Sequence, residues 1–353
     1  MEPCFGICCG DRKALTVRLS GRDEKGKVMA RRTAIATLIL LSVFLVNDSW
    51  AKSVIKLGVV TIPGSAQNVC AEKFKELLET RSDYEVKIYH SASLGTESEI
   101  LQQIRMNTVQ MGIITDGPFD VIVPEARVIG YPFLFEDFKK VDAVLDGDPG
   151  KKLLSALERA GFKGLAFSEN GFRNLTNGKH PVHTVEDVTG LKIRVMESVL
   201  HKELWRVLGA NPTPMPWPVY TELQQGTIDA QENPLSVIWT NRLYEVQKYL
   251  TLTSHVYSAH IDVACLTWFQ GLPPADAELI RQCMVEAARY QRAWNRDNEV
   301  HFLNQLKQAG MDVNEHPDLN SFQNKVQQMR DMEVFQDKAI QPMLQEFIQA
   351  VRK

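Results

Sequence analysis

The sequence has few cysteines, little net charge and one sizeable hydrophobic run. Its 353 residues include six cysteines, too few for a scaffold held together by disulfides. The formal net charge is −3, so the chain lacks the basic surface of a non-specific nucleic-acid binder, and we predict no nucleic-acid partner. A composition of 44% hydrophobic and 24% charged residues is ordinary for a globular protein. The length favours two domains of roughly 100–200 residues each.

The hydrophobic run lies near the N-terminus, at residues 34–46. Its 13 residues are uncharged, but a transmembrane helix needs about 20. Arg31 and Arg32 precede the run, and Ala51 ends a small-x-small site after it. We favour a cleavable secretory signal at about 29–51 over a buried or membrane-anchoring helix. Residues 1–28 then represent an over-extended start, and the mature protein lies in the periplasm.

Removal of the first 51 residues changes the charge and the cysteine count. Those residues hold eight basic and five acidic side chains, so the mature chain has a net charge of −6. It contains no apolar run of 18 residues or more, which predicts that it does not span a membrane. Cys70, Cys265 and Cys283 remain, and an odd number allows at most one disulfide.

The first part of the mature chain alternates between strand and helix patterns. β-branched or alternating segments lie at 54–62, 85–89 and 109–115, and apolar residues at helical spacing lie at 66–80 and 96–106. Thr96 and Glu99 resemble a capping box at the start of the second helix. A β-α-β-α-β order predicts a parallel sheet with right-handed crossovers.

A second β/α unit follows, after a turn signal at residues 169–171. The pattern predicts short strands on both sides of that turn, at 164–168 and 171–176. Beyond it, the pattern predicts a helix at 199–208 and strands at 191–195, 228–231 and 265–268. The segment from Pro274 to about residue 309 has no glycine or further proline. It predicts one long helix, or two nearly continuous helices, bracing both units. Two α/β lobes with a hinge form a cleft that closes on a small ligand.

The usual signatures of catalysis are missing from the sequence. It contains no G-x-S-x-G elbow, no phosphate-binding P-loop and no G-x-G-x-x-G fingerprint. His180 with His183, and His255 with His260, form loose pairs that lack a third zinc ligand at motif spacing. We therefore treat an enzyme as the weaker hypothesis and predict no metal and no cofactor.

Residues 209–234 form the most unusual segment. Prolines at positions 212, 214, 216 and 218 exclude a helix or a central strand there. Asn233 follows at the C-terminal end of a predicted strand, where open α/β sheets face a ligand crevice. Its amide can donate and accept hydrogen bonds in a cleft, but an Asx turn that caps the next helix explains it equally well.

Two arginines are candidates for binding an anion. In residues 191–195 apolar and basic side chains alternate, which places Arg194 on one face with Lys192. That face is either a solvated edge or, at Arg194, a two-pronged fork for a carboxylate. Arg173 could add a second cation, although an arginine in such a position is on its own more often a surface residue.

Together these segments resemble the substrate-binding proteins of TRAP transporters, the DctP-like family. The likeness extends over essentially all of residues 52–353 and is carried in order by GFR at 171–173, GLKIRV at 190–195, LGANPTPM at 208–215, LQQG at 223–226 and DAQENP at 229–234. It implies an α/β periplasmic binding protein of type II-like architecture. Such a protein has two lobes, a hinge, a central ligand cleft and a long helix bracing both lobes.

The resemblance also implies roles for individual residues. The carboxylate-binding arginine of the family falls on Arg194, the second cleft arginine on Arg173, and the amide that contacts the same carboxylate on Asn233. Asp116 and His260 fall where relatives carry polar specificity residues. To these we add Trp217 as a cleft aromatic. Relatives often have proline after the strand of Arg194, where this chain has Met196.

The implied function is that of a monomeric extracytoplasmic receptor, which delivers an organic acid to the membrane subunits of a sodium-coupled TRAP permease. The polar candidates favour a hydroxylated sugar acid such as a uronate, with a C4-dicarboxylate as the other option. A hydrolase-like periplasmic enzyme and a ligand sensor for a signalling kinase are the alternatives. We expect lobe I to comprise 52–170 and about 259–298, and lobe II about 171–258 and 299–353.

Overall fold

A computed structural model describes residues 53–352, so the predicted signal at 29–51 and the start before it lie outside the described residues. Within that range one mixed sheet contains nine strands. In chain order these are β1 (Val54–Gly58), β2 (Glu85–Tyr89), β3 (Met111–Thr115), β4 (Phe162–Asn177), β5 (Lys192–Val195), β6 (Asn211–Pro214), β7 (Ala230–Asn233), β8 (Tyr249–Cys265) and β9 (Asp312–Asn314).

Helices cover both faces of the sheet and connect most of its strands. Those of the described residues, in chain order, are α1 (Ala66–Arg81), α2 (Glu97–Arg105), α3 (Asp116–Ile122), α4 (Phe138–Leu145), α5 (Asp148–Ala156), α6 (Val199–Leu208), α7 (Tyr220–Gln224), α8 (Leu235–Thr240), α9 (Leu266–Gln270), α10 (Pro274–Asp297), α11 (Glu299–Gln308), α12 (Leu319–Val326), α13 (Glu333–Gln336) and α14 (Ile340–Val351). Short 3₁₀ turns complete the connections.

The sheet has the strand order β2-β1-β3-β8-β4-β7-β5-β6, and β9 pairs with β8. Strand β1 is parallel to both β2 and β3, which confirms the predicted parallel unit at the start of the mature chain. Strands β5, β6 and β7 form a second parallel group. The proline-rich β6 lies at the edge of the sheet, where missing N–H donors cost no ladder bond.

Two long antiparallel strands, β4 and β8, join the two parallel groups. The predicted turn at residues 169–171 is wrong, because β4 is one continuous strand of 16 residues. A register shift between Glu169 and Gly171 marks an irregularity in its pairing with β8. Gly171 has φ +122°, and a Cβ there would approach Pro234 and Asn295 to 3.2 and 3.3 Å, so glycine is needed at this kink.

Strand β8 is the main element that the sequence patterns did not reveal. It runs for 17 residues and ends at Cys265, and α9 follows where a returning strand was predicted at 265–268. Most of β8 is buried on both faces, so its sequence lacks the alternation of a half-buried strand. Cys70, Cys265 and Cys283, which allow at most one disulfide, are all free and buried.

The long helical segment consists of two nearly continuous helices, α10 and α11, one of the two forms predicted. The first part of α10 packs on α1, where Ile280 and Met284 join a core that includes Phe74. Near its C-terminal end, Trp294 packs against a separate core around Phe302. A single helix thus contacts two hydrophobic cores, as expected of a brace.

The C-terminal helix α14 packs against α4, α5 and the 3₁₀ turn Pro124–Val128. Our division by sequence placed α14 in lobe II and those partners in lobe I, so the exact lobe boundaries stay a prediction. Within residues 53–352, no helix is long and apolar enough to cross a membrane.

Candidate functional site

One cavity is lined by residues of both β/α units, and the space not filled by protein atoms there amounts to about 350 Å³, open solvent included. Four of the six predicted ligand-binding residues line it: Arg194, Asn233, His260 and Trp217. The other two, Arg173 and Asp116, are buried but are not part of its lining. The cavity therefore brings together residues that lie more than 60 positions apart in the chain.

Arg194 lies on β5 with its guanidinium prepared for an anion. Its side chain is 3% exposed, which excludes the solvated-edge reading. Nε donates to the backbone oxygen of Met215 at 2.9 Å, and Cζ lies 5.7 Å from the ring centroid of Trp217. Among the described residues no group accepts from Nη1 or Nη2. Burial, together with the charge of Arg173, lowers the pKa of Arg194 to about 10, so an added carboxylate would relieve an unfavourable burial of charge.

Arg173, on β4, is fully buried and already has a carboxylate partner. Its Nε donates to Oε2 of Glu232 at 2.5 Å, and Nη2 donates to Oε1 at 2.9 Å and to the backbone oxygen of the same residue. Nη1 is buried and has no partner among the described residues. Arg173 is therefore not a surface residue, and it contributes positive charge beside Arg194 and one available nitrogen.

Glu232 and two histidines complete this buried ion pair. None of the three was predicted as a site residue from the sequence. His255 Nε2 lies 3.1 Å from Oε2 of Glu232, and His201 Nδ1 lies 3.3 Å from Oε1. Although burial opposes ionisation, Arg173 and the histidines hold the pKa of Glu232 well below its usual range. The only sequence signal was a glutamate directly before Asn233, and strand alternation alone does not identify its partners.

Asn233 ends β7 and is oriented by a chain of side-chain hydrogen bonds. Gln247 Nε2 donates to two backbone carbonyls, which leaves its Oε1 to accept from Thr176 Oγ1 at 2.9 Å. Thr176 accepts from Gln231 Nε2 at 2.7 Å, and Gln231 Oε1 accepts from Asn233 Nδ2 at 2.6 Å. The residue before α8 is Pro234, and Asn233 makes no capping bond to that helix, so the Asx-turn reading is wrong. One amide N–H of Asn233 remains for a ligand.

His260 and Asp116 occupy the part of the site built by β8 and α3. His260 is 1% exposed, and its Nδ1 has no partner among the described residues. Burial and the nearby Arg173 lower the pKa of His260 to about 3, so the ring is neutral. Asp116 accepts from Ser258 Oγ at 2.6 Å. Burial raises the pKa of Asp116, while His201, the Ser258 hydrogen bond and Arg173 act against that rise.

Glu97 is the carboxylate in the cavity lining, and it was not predicted as a site residue. The predicted capping box is confirmed, with Thr96 and Glu99 as its members. Glu97 instead accepts from the backbone N–H of Thr115 at 2.8 Å, from the Thr115 hydroxyl and from Gln67 Nε2 at 2.9 Å. Burial raises the pKa of Glu97, and these bonds and Arg194 partly offset that rise. Glu97 lies in the first turn of α2, where the helix dipole alone is a sufficient local explanation for a carboxylate.

In chemical terms the cavity offers a cationic fork, amides, hydroxyls, a neutral imidazole and one carboxylate. Such a set suits an anion that also carries hydroxyl groups. Within residues 53–352, no three His, Cys, Asp or Glu side chains form a group that could hold a metal ion.

Comparison with known proteins agrees with this geometry. The DctP family, described as "Bacterial extracellular solute-binding protein, family 7", matches residues 57–337. The chain belongs to this family. The 2,3-diketo-L-gulonate-binding periplasmic protein YiaO of Escherichia coli K12 is 36% identical over 290 residues, which cover 81% of this chain and 88% of YiaO.

Solved structures of TRAP periplasmic solute-binding proteins share the fold. One from Polaromonas sp. JS666, bound to D-erythronate, is 34% identical with a TM-score of 0.81 and covers 84% of this chain and 98% of its own. The sugar acid binding protein DctPAm of Advenella mimigardefordensis, in complex with galactonate, is 32% identical with a TM-score of 0.82 and covers 85% and 98%.

These findings confirm that the chain has the two-lobe fold and that it is a solute-binding receptor. Proteins of the family bind solutes outside the cytoplasm and work with the membrane subunits of TRAP transporters. The alternative of a hydrolase-like enzyme is wrong, because the family and the structural neighbours are receptors.

Proposed function

We propose that this receptor takes a hydroxylated monocarboxylic acid of the sugar-acid class, in the periplasm, and delivers it to a TRAP permease. The observation that carries the proposal is Arg194, a buried guanidinium whose Nη1 and Nη2 have no acceptor among the described residues and face a cavity. A carboxylate accepts two parallel N–H bonds from such a fork. Arg173 and Asn233 add charge and an N–H donor to the same anion, and His260 and Trp217 complete the walls.

Glu97 supports a hydroxylated ligand over a C4-dicarboxylate. It lines the same cavity as Arg194, so the second carboxylate of a dicarboxylic acid would enter a space that already holds one. Hydroxyl groups, by contrast, donate to a carboxylate. The acids bound in the two structural neighbours, D-erythronate and galactonate, are hydroxylated monocarboxylates of this kind.

The route to the periplasm and the motion of the lobes belong to the same proposal. Cleavage after Ala51 releases a monomer with an excess of acidic side chains. The ligand is gripped between the two lobes when they close about the hinge, because desolvation of the carboxylate requires donors from both sides.

A ligand panel tests the proposal. Purified receptor lacking residues 1–51 is heated with D-erythronate, D-galactonate, D-glucuronate, succinate or butanoate, and ligands that raise Tm are then titrated by calorimetry. A ligand at 100 times its Kd adds about 2.7 kcal/mol of stability, enough for a clear shift. We expect at least one hydroxy acid to bind more tightly than succinate and butanoate. Tighter binding of succinate than of every hydroxy acid would contradict the proposed ligand class.

A further inference from the structure

Asn170 lies at the kink of β4 and lines the same cavity as Arg194. Its side chain is 2% exposed, and its Nδ2 donates to Ser258 Oγ at 3.2 Å. No described group donates to its Oδ1. Which end of this amide faces the ligand decides whether the cavity offers an acceptor or a donor at that point.

The hydroxyl of Ser258 settles the orientation of the amide. Ser258 Oγ donates to Oδ1 of Asp116 at 2.6 Å, a separation typical of a charge-assisted bond from a hydroxyl to a carboxylate. A serine has a single hydroxyl proton, so once that proton is given to Asp116 the oxygen can only accept. The group that Asn170 turns toward Ser258 must therefore be its NH₂.

Ser258 must donate its proton to Asp116 when the carboxyl group of Asp116 is ionised. An ionised carboxylate has no proton to donate, so it can only accept. Burial raises the pKa of Asp116, and the Ser258 hydrogen bond and Arg173 oppose that rise, so the short separation of 2.6 Å between the two oxygens is the observation that favours the ionised form. Asp116 itself is not in the cavity lining, so it does not act by touching the ligand.

We infer that Asp116, acting through Ser258, fixes the amide of Asn170 so that its carbonyl oxygen faces the cavity and selects a ligand with a hydroxyl donor. Asp116 is then a positioning residue for specificity. The inference rests on the proposed function, because it explains how this receptor would recognise hydroxyl groups on its acid.

Asp116→Asn reverses the polarity of the chain. The introduced amide can donate to Ser258 Oγ, which frees the serine proton to donate to Asn170. The amide of Asn170 then turns its oxygen toward Ser258 and its NH₂ toward the cavity. A ligand hydroxyl loses its acceptor, a loss that a ligand without hydroxyl groups does not share, whereas removal of the Asp116 charge acts on both carboxylates alike.

A suitable control is Asp262→Asn. Asp262 is also buried and also accepts from a serine, Ser168 Oγ at 2.8 Å, but neither residue lines the cavity. The control therefore repeats the same chemical change at a second buried aspartate–serine pair without altering Asn170.

The experiment is calorimetric titration, with competition for weak ligands, of the wild type and of Asp116→Asn, Ser258→Ala and Asp262→Asn. The probes are D-erythronate against butanoate and D-galactonate against hexanoate, pairs of equal chain length with and without hydroxyls. We expect Asp116→Asn to lower the affinity for the hydroxy acid, relative to that for the plain acid of equal length, by about tenfold, the worth of one hydrogen bond. Ser258→Ala should lose part of the same discrimination, and Asp262→Asn none.

An unchanged ratio of affinities between the two members of a pair would overturn the inference while leaving the proposed function intact. Should Asp116→Asn fail to fold, unchanged discrimination in Ser258→Ala overturns it equally. Failure of the wild type to bind any hydroxy acid is a different result, because it contradicts the proposed function and the inference with it.

Discussion

Arg173 gives Nε and Nη2 to Glu232, and both side chains are fully inaccessible to solvent. This pairing separates the roles of the two site arginines. Arg173 is locked in place and contributes positive charge, and its Nη1 has no partner among the described residues. Arg194 keeps both terminal nitrogens for a ligand, because no described group accepts a hydrogen bond from them. The cationic side of the cavity is therefore built before the ligand arrives, which lowers the cost of organising it on binding.

We expect Glu232→Gln to destabilise the fold strongly. Removal of one partner leaves the buried charge of Arg173 uncompensated, which costs about 3 kcal/mol or more of unfolding free energy. Glu278→Gln serves as the control, because it removes an exposed helical pair with Arg281, where the loss should be small. Urea denaturation measures both variants, and equal losses would refute the structural importance of the buried pair.

The acid side of the pH profile should reflect His260. Burial, and then Arg173, lower its pKa in the folded state to about 3, whereas an unfolded histidine titrates near 6.5. Between these values the unfolded state binds more protons, so stability is fully present above about pH 6.5 and is lost as the pH falls toward 3. This group alone contributes up to about 1.4 kcal/mol per pH unit.

His260→Gln removes that contribution, since glutamine does not titrate. Relative to the wild type, the variant should therefore gain stability as the pH is lowered from 6.5 to 4.5. Urea unfolding of both proteins at a series of pH values gives the difference directly, and a difference that does not vary with pH would exclude a neutral, buried His260.

The N-terminal proposal is tested by the mass of the exported protein. The basic, apolar and small-residue regions before Lys52 predict cleavage after Ala51. Expression of the full chain followed by mass spectrometry of the periplasmic fraction should find a protein that begins at Lys52. A mature chain beginning well upstream, or one that stays with the membrane, would show that the segment is not a cleaved signal.

Local patterns sufficed for the parallel parts of the fold and failed for its long antiparallel centre. In β1 to β3 the apolar spacing and turn residues mark each element. In β4 the residues Glu169, Asn170 and Gly171 have strong turn propensity, yet pairing with β8 holds them in a strand. In a strand that is buried on both faces and carries polar residues, apolar and polar side chains do not alternate. Its strand conformation is therefore determined by pairing with other strands and not by its local sequence.

The site divides in a similar way between what the sequence shows and what it hides. Motif resemblance pointed to Arg194, Asn233 and His260, which line the cavity together with Trp217, the aromatic residue added to them. Spacing gave no hint of Glu97, because a glutamate in the first turn of a helix has a sufficient local explanation. Glu232 and Ser258 lie far in sequence from their partners Arg173 and Asp116, and only the folded sheet brings each pair together.

Arg194 tests the central claim most directly. The three variants are Arg194→Ala, Arg194→Lys and, as a control, Lys192→Ala, an exposed cation on the same strand. Circular dichroism first confirms that each variant is folded. Calorimetric titration then measures the Kd of the hydroxy acid that binds the wild type most tightly in the panel.

A buried, charge-assisted pair with the carboxylate predicts a loss of about a hundredfold or more in Arg194→Ala. Arg194→Lys should recover part of that loss, because an ammonium keeps the charge but not the two-pronged geometry. Lys192→Ala should bind like the wild type. Wild-type affinity in folded Arg194→Ala would contradict the assignment of Arg194 as the carboxylate-binding residue of this receptor.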